Sequence, residues 1–194
     1  MKRTTIALLV LAVATGTGTA LAQGIPPRVV GLSGLWAMPS GDFGDVAGDG
    51  WGILLMGEQY VNPTRLVSVT SDLGYVDFGA KTTAGNAKTD FSMFPVAFGL
   101  RVYPMAPKKP NSKAQLFGQG GLGFTTVRSE VQSGVFSEST YDYFFLLNAG
   151  AGLKIAANPK VSLLLDATWN WIFGDAVDPN YLALRGGLVF PFGR

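Results

Sequence analysis

The chain has 194 residues, 47% of them hydrophobic, with 26 glycines, no cysteine and no histidine. Lack of cysteine excludes disulfides and thiolate metal sites, and lack of histidine removes the side chain that most often acts as a base near neutral pH. With Lys2 and Arg3 set aside from the 15 basic residues, 13 remain against 13 acidic ones, a balance that does not suggest a nucleic-acid binder.

Residues 1–22 read as a secretory signal. Lys2 and Arg3 form a basic start, Ile6 to Val13 an apolar run, and Ala20-Leu21-Ala22 an A-x-A cleavage site. The run is shorter than the ~20 residues a spanning helix needs. The expectation is a cleaved export signal at 1–22 and a single domain at 23–194; an uncleaved N-terminal anchor is the alternative. No second long apolar run follows, so no transmembrane helix is expected.

From residue 29 onward, apolar residues recur at every second position, the period of a strand. Eight segments show it, each suited in length to a tilted membrane strand. Val29–Met38 places Val30, Leu32 and Trp36 on one face, and Trp51–Val61 does the same with Trp51, Ile53 and Leu55. Arg65–Phe78 sets Val67, Val69, Leu73 and Tyr75 against Ser68, Thr70 and Asp72. The fourth segment alternates Phe94, Val96, Phe98, Leu100 and Val102 with Pro95, Ala97, Gly99, Arg101 and Tyr103. Lys113–Val127 sets Leu116, Leu122 and Phe124 against Gln115, Gln119 and Thr125, and Tyr143–Ala156 sets Phe145, Leu147, Leu153 and Ile155 against Asn148 and Lys154. Val161–Phe173 opposes Leu163, Leu165, Trp169 and Trp171 to Ser162, Asp166, Thr168 and Asn170. Tyr181–Phe192 opposes Leu182, Leu184, Leu188, Phe190 and Phe192 to Arg185.

One face is therefore apolar and the other polar or small, with full charges at mid-strand and aromatics near strand ends. That combination fits a transmembrane barrel with a polar interior and an interfacial aromatic belt. The expected fold is all-β: an eight-stranded antiparallel up-and-down transmembrane β-barrel. Short turns with Asn-Pro signals (62–64 and 157–159) alternate with longer connections at 39–50, 79–90, 128–142 and 174–180. Short turns and both termini then face the periplasm. Pro95 lacks a backbone donor, so a bulge or the end of pairing is expected there.

The last segment resembles the C-terminal signal by which outer-membrane barrels are recognised, carried by Arg185, Gly187, Phe190 and Phe192. The whole mature chain resembles the small outer-membrane β-barrel domain proteins related to OmpA, OmpW and opacity proteins. The carriers are Pro39-Ser40-Gly41-Asp42-Phe43, Leu73-Gly74-Tyr75, Pro95 to Tyr103, Gly118 to Gly123 and the terminal phenylalanine pair. These motifs are specific for architecture rather than activity. Gly193 and Arg194 follow the aromatic that usually ends such chains, a departure from the pattern. The resemblance implies the outer membrane of a Gram-negative-type bacterium, with membrane lipid and the barrel-insertion machinery as partners, and a monomer.

Six charges fall on the inward face by strand parity: Glu58, Asp72, Asp166, Arg101, Lys154 and Arg185. An eight-stranded interior is just wide enough for side chains to fill, so an ion-paired plug of the lumen is expected, with a gated polar pore as the functional alternative. The remaining charges separate by side. Ten acids against Lys81, Lys88 and Arg128 lie on the long-loop side; Arg28, Arg65, Lys108, Lys109, Lys113, Lys160 and Arg194 lie on the other with no acid. Acidic loops that bridge divalent cations to lipid phosphate, or basic turns that touch peptidoglycan or anionic inner-leaflet lipid, are two readings of this split; loop solubility is the plain one. Gly41 to Asp49 carries three carboxylates in a Gly-rich stretch that matches no calcium-loop spacing and reads as a flexible solvated loop.

No catalytic residue, metal site or cofactor is expected. Outer-membrane hydrolases and acyltransferases use a histidine this chain lacks, and the inward carboxylates sit among basic residues. The expected role is non-catalytic: envelope structure, or contact with a host or surface ligand through the loops, with Val135 and Phe136 at the tip of the longest one. The alternatives are a narrow OmpW-like channel for small or hydrophobic compounds, lined by Leu54, Met56, Phe117, Phe144, Leu146 and Leu164, and a soluble periplasmic lipid-binding barrel.

Overall fold

The computed structural model describes residues 28–61, 64–82, 88–104, 113–133, 136–174 and 178–192. Residues 1–22, the expected signal, lie outside these segments.

The described chain is nearly all strand: β1 (Arg28–Pro39), a helical turn α1 (Asp42–Val46), β2 (Ala47–Tyr60), β3 (Val67–Thr82), β4 (Lys88–Val102), β5 (Ala114–Ser133), β6 (Phe136–Asn158), β7 (Val161–Phe173) and β8 (Tyr181–Phe192). Each strand pairs antiparallel with the next, and β8 returns to β1 to close an eight-stranded up-and-down barrel. Closure leaves no open edge within the membrane, where an unpaired backbone group is costly.

Alternation decides which face goes where. In β1 and β2 buried and exposed residues alternate along the strand, with Leu32, Trp36, Trp51, Ile53 and Leu55 all outside. A register slip of one residue would move every apolar side chain from lipid into the lumen, so the pattern holds the pairing in place. Large apolar side chains on all eight strands are exposed, including Phe124, Tyr143 and Phe192. Such an exterior needs a hydrocarbon solvent, and the soluble carrier is set aside on this ground. No helix of the described residues is long and apolar enough to cross a membrane; the crossing is made by strands.

Three local expectations change. Pro95 makes no bulge. It stays in register opposite Thr125 of β5, while on the β3 side pairing passes from Leu73–Val96 to Val76–Met93 without a shift. The missing donor therefore interrupts the ladder on one side only. The register shift between β3 and β4 lies instead between Phe78 and Lys81.

The stretch expected as a solvated loop after β1 folds back over the barrel mouth. Its α1 turn buries Phe43, whose ring meets Phe78 at 5.1 Å and Phe91 at 5.3 Å edge-on. The Lys81 ammonium ties the turn down by donating to the Gly44 carbonyl.

Much of the expected 128–142 loop is sheet. β5 and β6 continue as a hairpin up to Ser133–Phe136, beyond the last β6–β7 pair at Phe145–Phe173.

Candidate functional site

The lumen holds two apolar clusters and a set of buried charges packed among and between them. Toward the short-turn end, Val29, Met56, Tyr60, Tyr103, Phe117, Leu164 and Val189 form one cluster. Toward the long-loop end, a larger cluster includes Leu35, Leu54, Val76, Phe78, Met93 and Leu146, closed by Phe43 from α1.

Strand parity brings Glu58, Arg101 and Lys154 together within the short-turn cluster, with Glu58 between Met56 and Tyr60 on β2. Arg101 Nη1 and Lys154 Nζ both reach Glu58 Oε2, at 3.3 and 3.1 Å. Ser68 and Tyr103 donate to Glu58 Oε1 at 2.8 and 2.5 Å, so the carboxylate is fully enclosed by donors. Arg101 is wholly buried, with its guanidinium 4.3 Å from the centre of the Phe117 ring. Lys154 also donates to the Tyr60 hydroxyl at 3.0 Å.

The second group centres on Arg185, which donates from Nε to Asp166 at 2.6 Å and from Nη1 to Asp72 at 2.9 Å. Gln119 joins the two groups. Its carbonyl accepts from Arg101 Nη2 at 2.8 Å; its amide donates to Thr168 at 2.9 Å; and Thr168 donates on to Asp166 at 2.9 Å. All six inward charges thus belong to one hydrogen-bonded chain. The Glu58 triad carries a formal +1 and the Arg185 triad a formal −1, so the set is neutral as a whole. Pairing of this kind is what permits charge to be buried at all.

Two small voids border these charges. One of about 10 Å³ is lined by Asp72, Gln119 and Asn148 among others; one of about 20 Å³ is lined by Asp72, Asn148, Thr168 and Arg185. Each has room for about one water molecule. Asp72 Oδ1 and Arg185 Nη2 have no protein partner, and a water in these voids would serve them. The six residues read as a channel lining pack into the two apolar clusters: Leu54, Phe144 and Leu146 in the outer one, Met56, Phe117 and Leu164 in the inner one.

Arg185 and Gly187, two members of the C-terminal pattern, point into the lumen, whereas Phe190 and Phe192 face outward. Arg185 therefore belongs to the ion network. Val135 lies outside the described residues, and Phe136 is described as the first residue of β6. The three carboxylates of 41–49 do not gather, and among the described residues no cluster of three or more candidate ligands is placed to hold a metal ion.

The structure also shows two features that residue type alone concealed. Gln119 and Thr168 were legible only as inward polar positions. The second is a free sheet edge. Among the described residues, β6 has no β7 partner beyond Phe145, yet it remains paired to β5, and β5 to β4 as far as Lys88–Gln132. Among the described residues, a sheet of β3 to β6 thus extends past the end of β7, with residues 136–144 of β6 along an edge that no described strand covers.

A closed eight-stranded barrel with a lipid-compatible exterior and a charge-neutral interior defines a transmembrane β-barrel of the outer-membrane class. The family model for the outer membrane protein beta-barrel domain matches residues 5–192, and the chain belongs to that family. Solved structures share the fold at low identity. Neisserial surface protein A is 17% identical with a TM-score of 0.59, over 85% of this chain and 97% of its own. Ail, the attachment invasion locus protein of Yersinia pestis, is 17% identical with a TM-score of 0.59, over 87% and 100%. A major outer membrane protein from Thermus thermophilus is 12% identical with a TM-score of 0.58, over 84% and 99%. No curated protein sequence matches the chain.

Proposed function

We propose that this protein is a non-catalytic outer-membrane barrel with a sealed lumen, which acts by surface contact through the sheet projecting from its outer mouth. The observation that carries this reading is the open edge of β6 at 136–144. An unpaired strand edge is a template for an added strand, and native proteins ordinarily blunt or cover it. Inside the membrane the barrel has no such edge; outside, the described residues leave one along β6.

The sealed lumen supports the same reading. Two apolar clusters and a paired set of charges leave voids of single-water size, which argues against the channel alternative. The lack of histidine and cysteine supports a non-catalytic role.

Ail of Yersinia pestis has been crystallised with the heparin analogue sucrose octasulfate. The outer side of the present chain carries Asp42, Asp45, Asp49, Asp77, Asp90 and Asp142 among its acids, and such a surface repels a polyanion. Sucrose octasulfate is therefore expected not to bind here.

The test is deletion of 131–138, which removes the hairpin tip and shortens the open edge. Cells displaying the shortened barrel should lose adhesion to host-cell or abiotic surfaces while the purified protein keeps its heat-modifiable band. Unchanged adhesion, or steady single-channel current from the intact barrel in a planar bilayer, would overturn the proposal.

A further inference from the structure

We infer that the short-turn rim of the barrel binds the phosphate headgroups of anionic phospholipids in the inner leaflet of the membrane it spans. The first ground is the sign of the charges. Among the described residues, every ionisable side chain at that rim outside the lumen is basic: Arg28, Arg65, Lys113 and Lys160. At the opposite rim, Asp42, Asp45, Asp49, Asp77, Asp90, Asp142 and Asp178 far outweigh Lys81 and Arg128.

The lumen repeats this polarity. The triad with formal charge +1, Glu58 with Arg101 and Lys154, lies toward the short-turn end, and the triad with −1, Arg185 with Asp72 and Asp166, lies further out. The whole barrel is therefore polarised along the membrane normal, positive at the rim that the basic residues line.

The second ground is depth. Arg28 opens β1 opposite Phe192, and Val30 and Phe192 are both exposed on the lipid face. Lys113 precedes β5, whose Leu116 is exposed to lipid; Lys160 immediately precedes β7 at Val161; Arg65 stands two residues before Val67 of β3. At about 3.3 Å per residue, these positions lie within ~3–10 Å of lipid-facing side chains. Their flexible stems can lie along apolar surface while the charged ends reach the headgroup plane.

The third ground is arrangement. Lys113 accepts a hydrogen bond from the Ala156 amide at 2.7 Å, which brings the Lys113 backbone beside the turn that carries Lys160. Arg65 takes a left-handed backbone, φ 56°, that a glycine or asparagine would accept with less strain. What arginine adds there is a cation at headgroup depth, with its guanidinium 6.0 Å from the centre of the Tyr60 ring.

The test uses the folded full-length barrel in neutral detergent. Native mass spectrometry would compare retention of phosphatidylglycerol with that of phosphatidylcholine of the same acyl chains. The intact protein should retain the anionic lipid preferentially, by about fivefold per engaged charge, and high salt should erase the difference. The neutralised variants R65Q, K113Q and K160Q, singly and combined, should lose the preference stepwise. All three side chains are exposed; should the combined variant fail to fold, the single variants still report. Neutralising Lys81 and Arg128 at the other rim should leave the preference intact. Equal retention of the two lipids, or a preference that survives the rim substitutions, would overturn the inference. So would rim-dependent retention of soluble peptidoglycan fragments without retention of phosphatidylglycerol.

Discussion

Gln119 donates to Thr168 across the lumen at 2.9 Å, and through this bond the cationic and anionic halves of the charged set become one network. Gln119 also accepts from Arg101 through the same amide group, so one uncharged side chain holds both ends in place. Replacing Gln119 with leucine keeps the volume and removes both bonds. Leaving Arg101 and Thr168 short of a partner in an enclosed site should cost about 1–3 kcal/mol. Urea titration of the heat-modifiable band would read this loss; a midpoint equal to that of the parent would show that the two triads are stable independently.

Each triad has a hub, and the hubs should be the sensitive positions. Removing Arg101 as R101M leaves Glu58 and Lys154 as a neutral pair, whereas E58Q leaves two buried cations without a carboxylate. The same holds for D72N, which leaves Asp166 with Arg185, against R185M, which leaves two carboxylates together. Breaking a buried pair by removing one partner costs about 3–5 kcal/mol, and the hub variants should lie at or above the top of this range. Equal losses for hub and satellite in a refolding titration would contradict the assigned pairing.

Phe43 closes the outer mouth, with only 1% of its surface exposed. Phe43→Ala should cost about 3 kcal/mol, typical of a buried aromatic deleted from a packed site. The loss should be confined to the α1 turn, which would become open to cleavage by added protease within 41–46. The barrel should still conduct nothing in a planar bilayer, because the inner apolar cluster stays in place. Current from the F43A barrel would identify the turn as the sole barrier.

Two glycines of β5 should respond oppositely to a methyl group. A Cβ at Gly118 meets nothing within 4 Å, whereas one at Gly123 would run into the Val96 carbonyl and the Ala97 backbone of β4. Gly118→Ala should change stability by less than about 0.5 kcal/mol. Gly123→Ala must push two paired strands apart and should cost at least about 1–3 kcal/mol, as overpacking does. A comparison of the two refolding yields in the same detergent decides the point.

Strand number, inward and outward faces and lumen-facing charges were legible because alternation with period two is a local property. β7 and β8 have the bounds their apolar pattern predicts, Val161–Phe173 and Tyr181–Phe192. Reading was weaker where polar residues continue a strand past the membrane. The outer reaches of β5 and β6 alternate little in hydropathy, so Arg128–Asp142 read as loop; pairing with neighbouring strands, not lipid, holds them extended. Phe43 was concealed because it stands alone among glycines and aspartates, and its partners Phe78 and Phe91 come from β3 and β4.

The sequence by itself determined that this chain forms a barrel with an apolar outside, which charges point inward, and which rim is acidic and which basic, because each of these depends on position along a single strand. Only the tertiary structure decided who pairs with whom. Glu58 meets Lys154 across 96 positions of chain, Arg185 meets Asp72 across 113, and the choice of Gln119 as their link depends on relative strand height, which only closure of β8 onto β1 sets. Among the described residues, the open edge of β6 is likewise a difference between the lengths of two neighbouring strands, and no single strand carries that information.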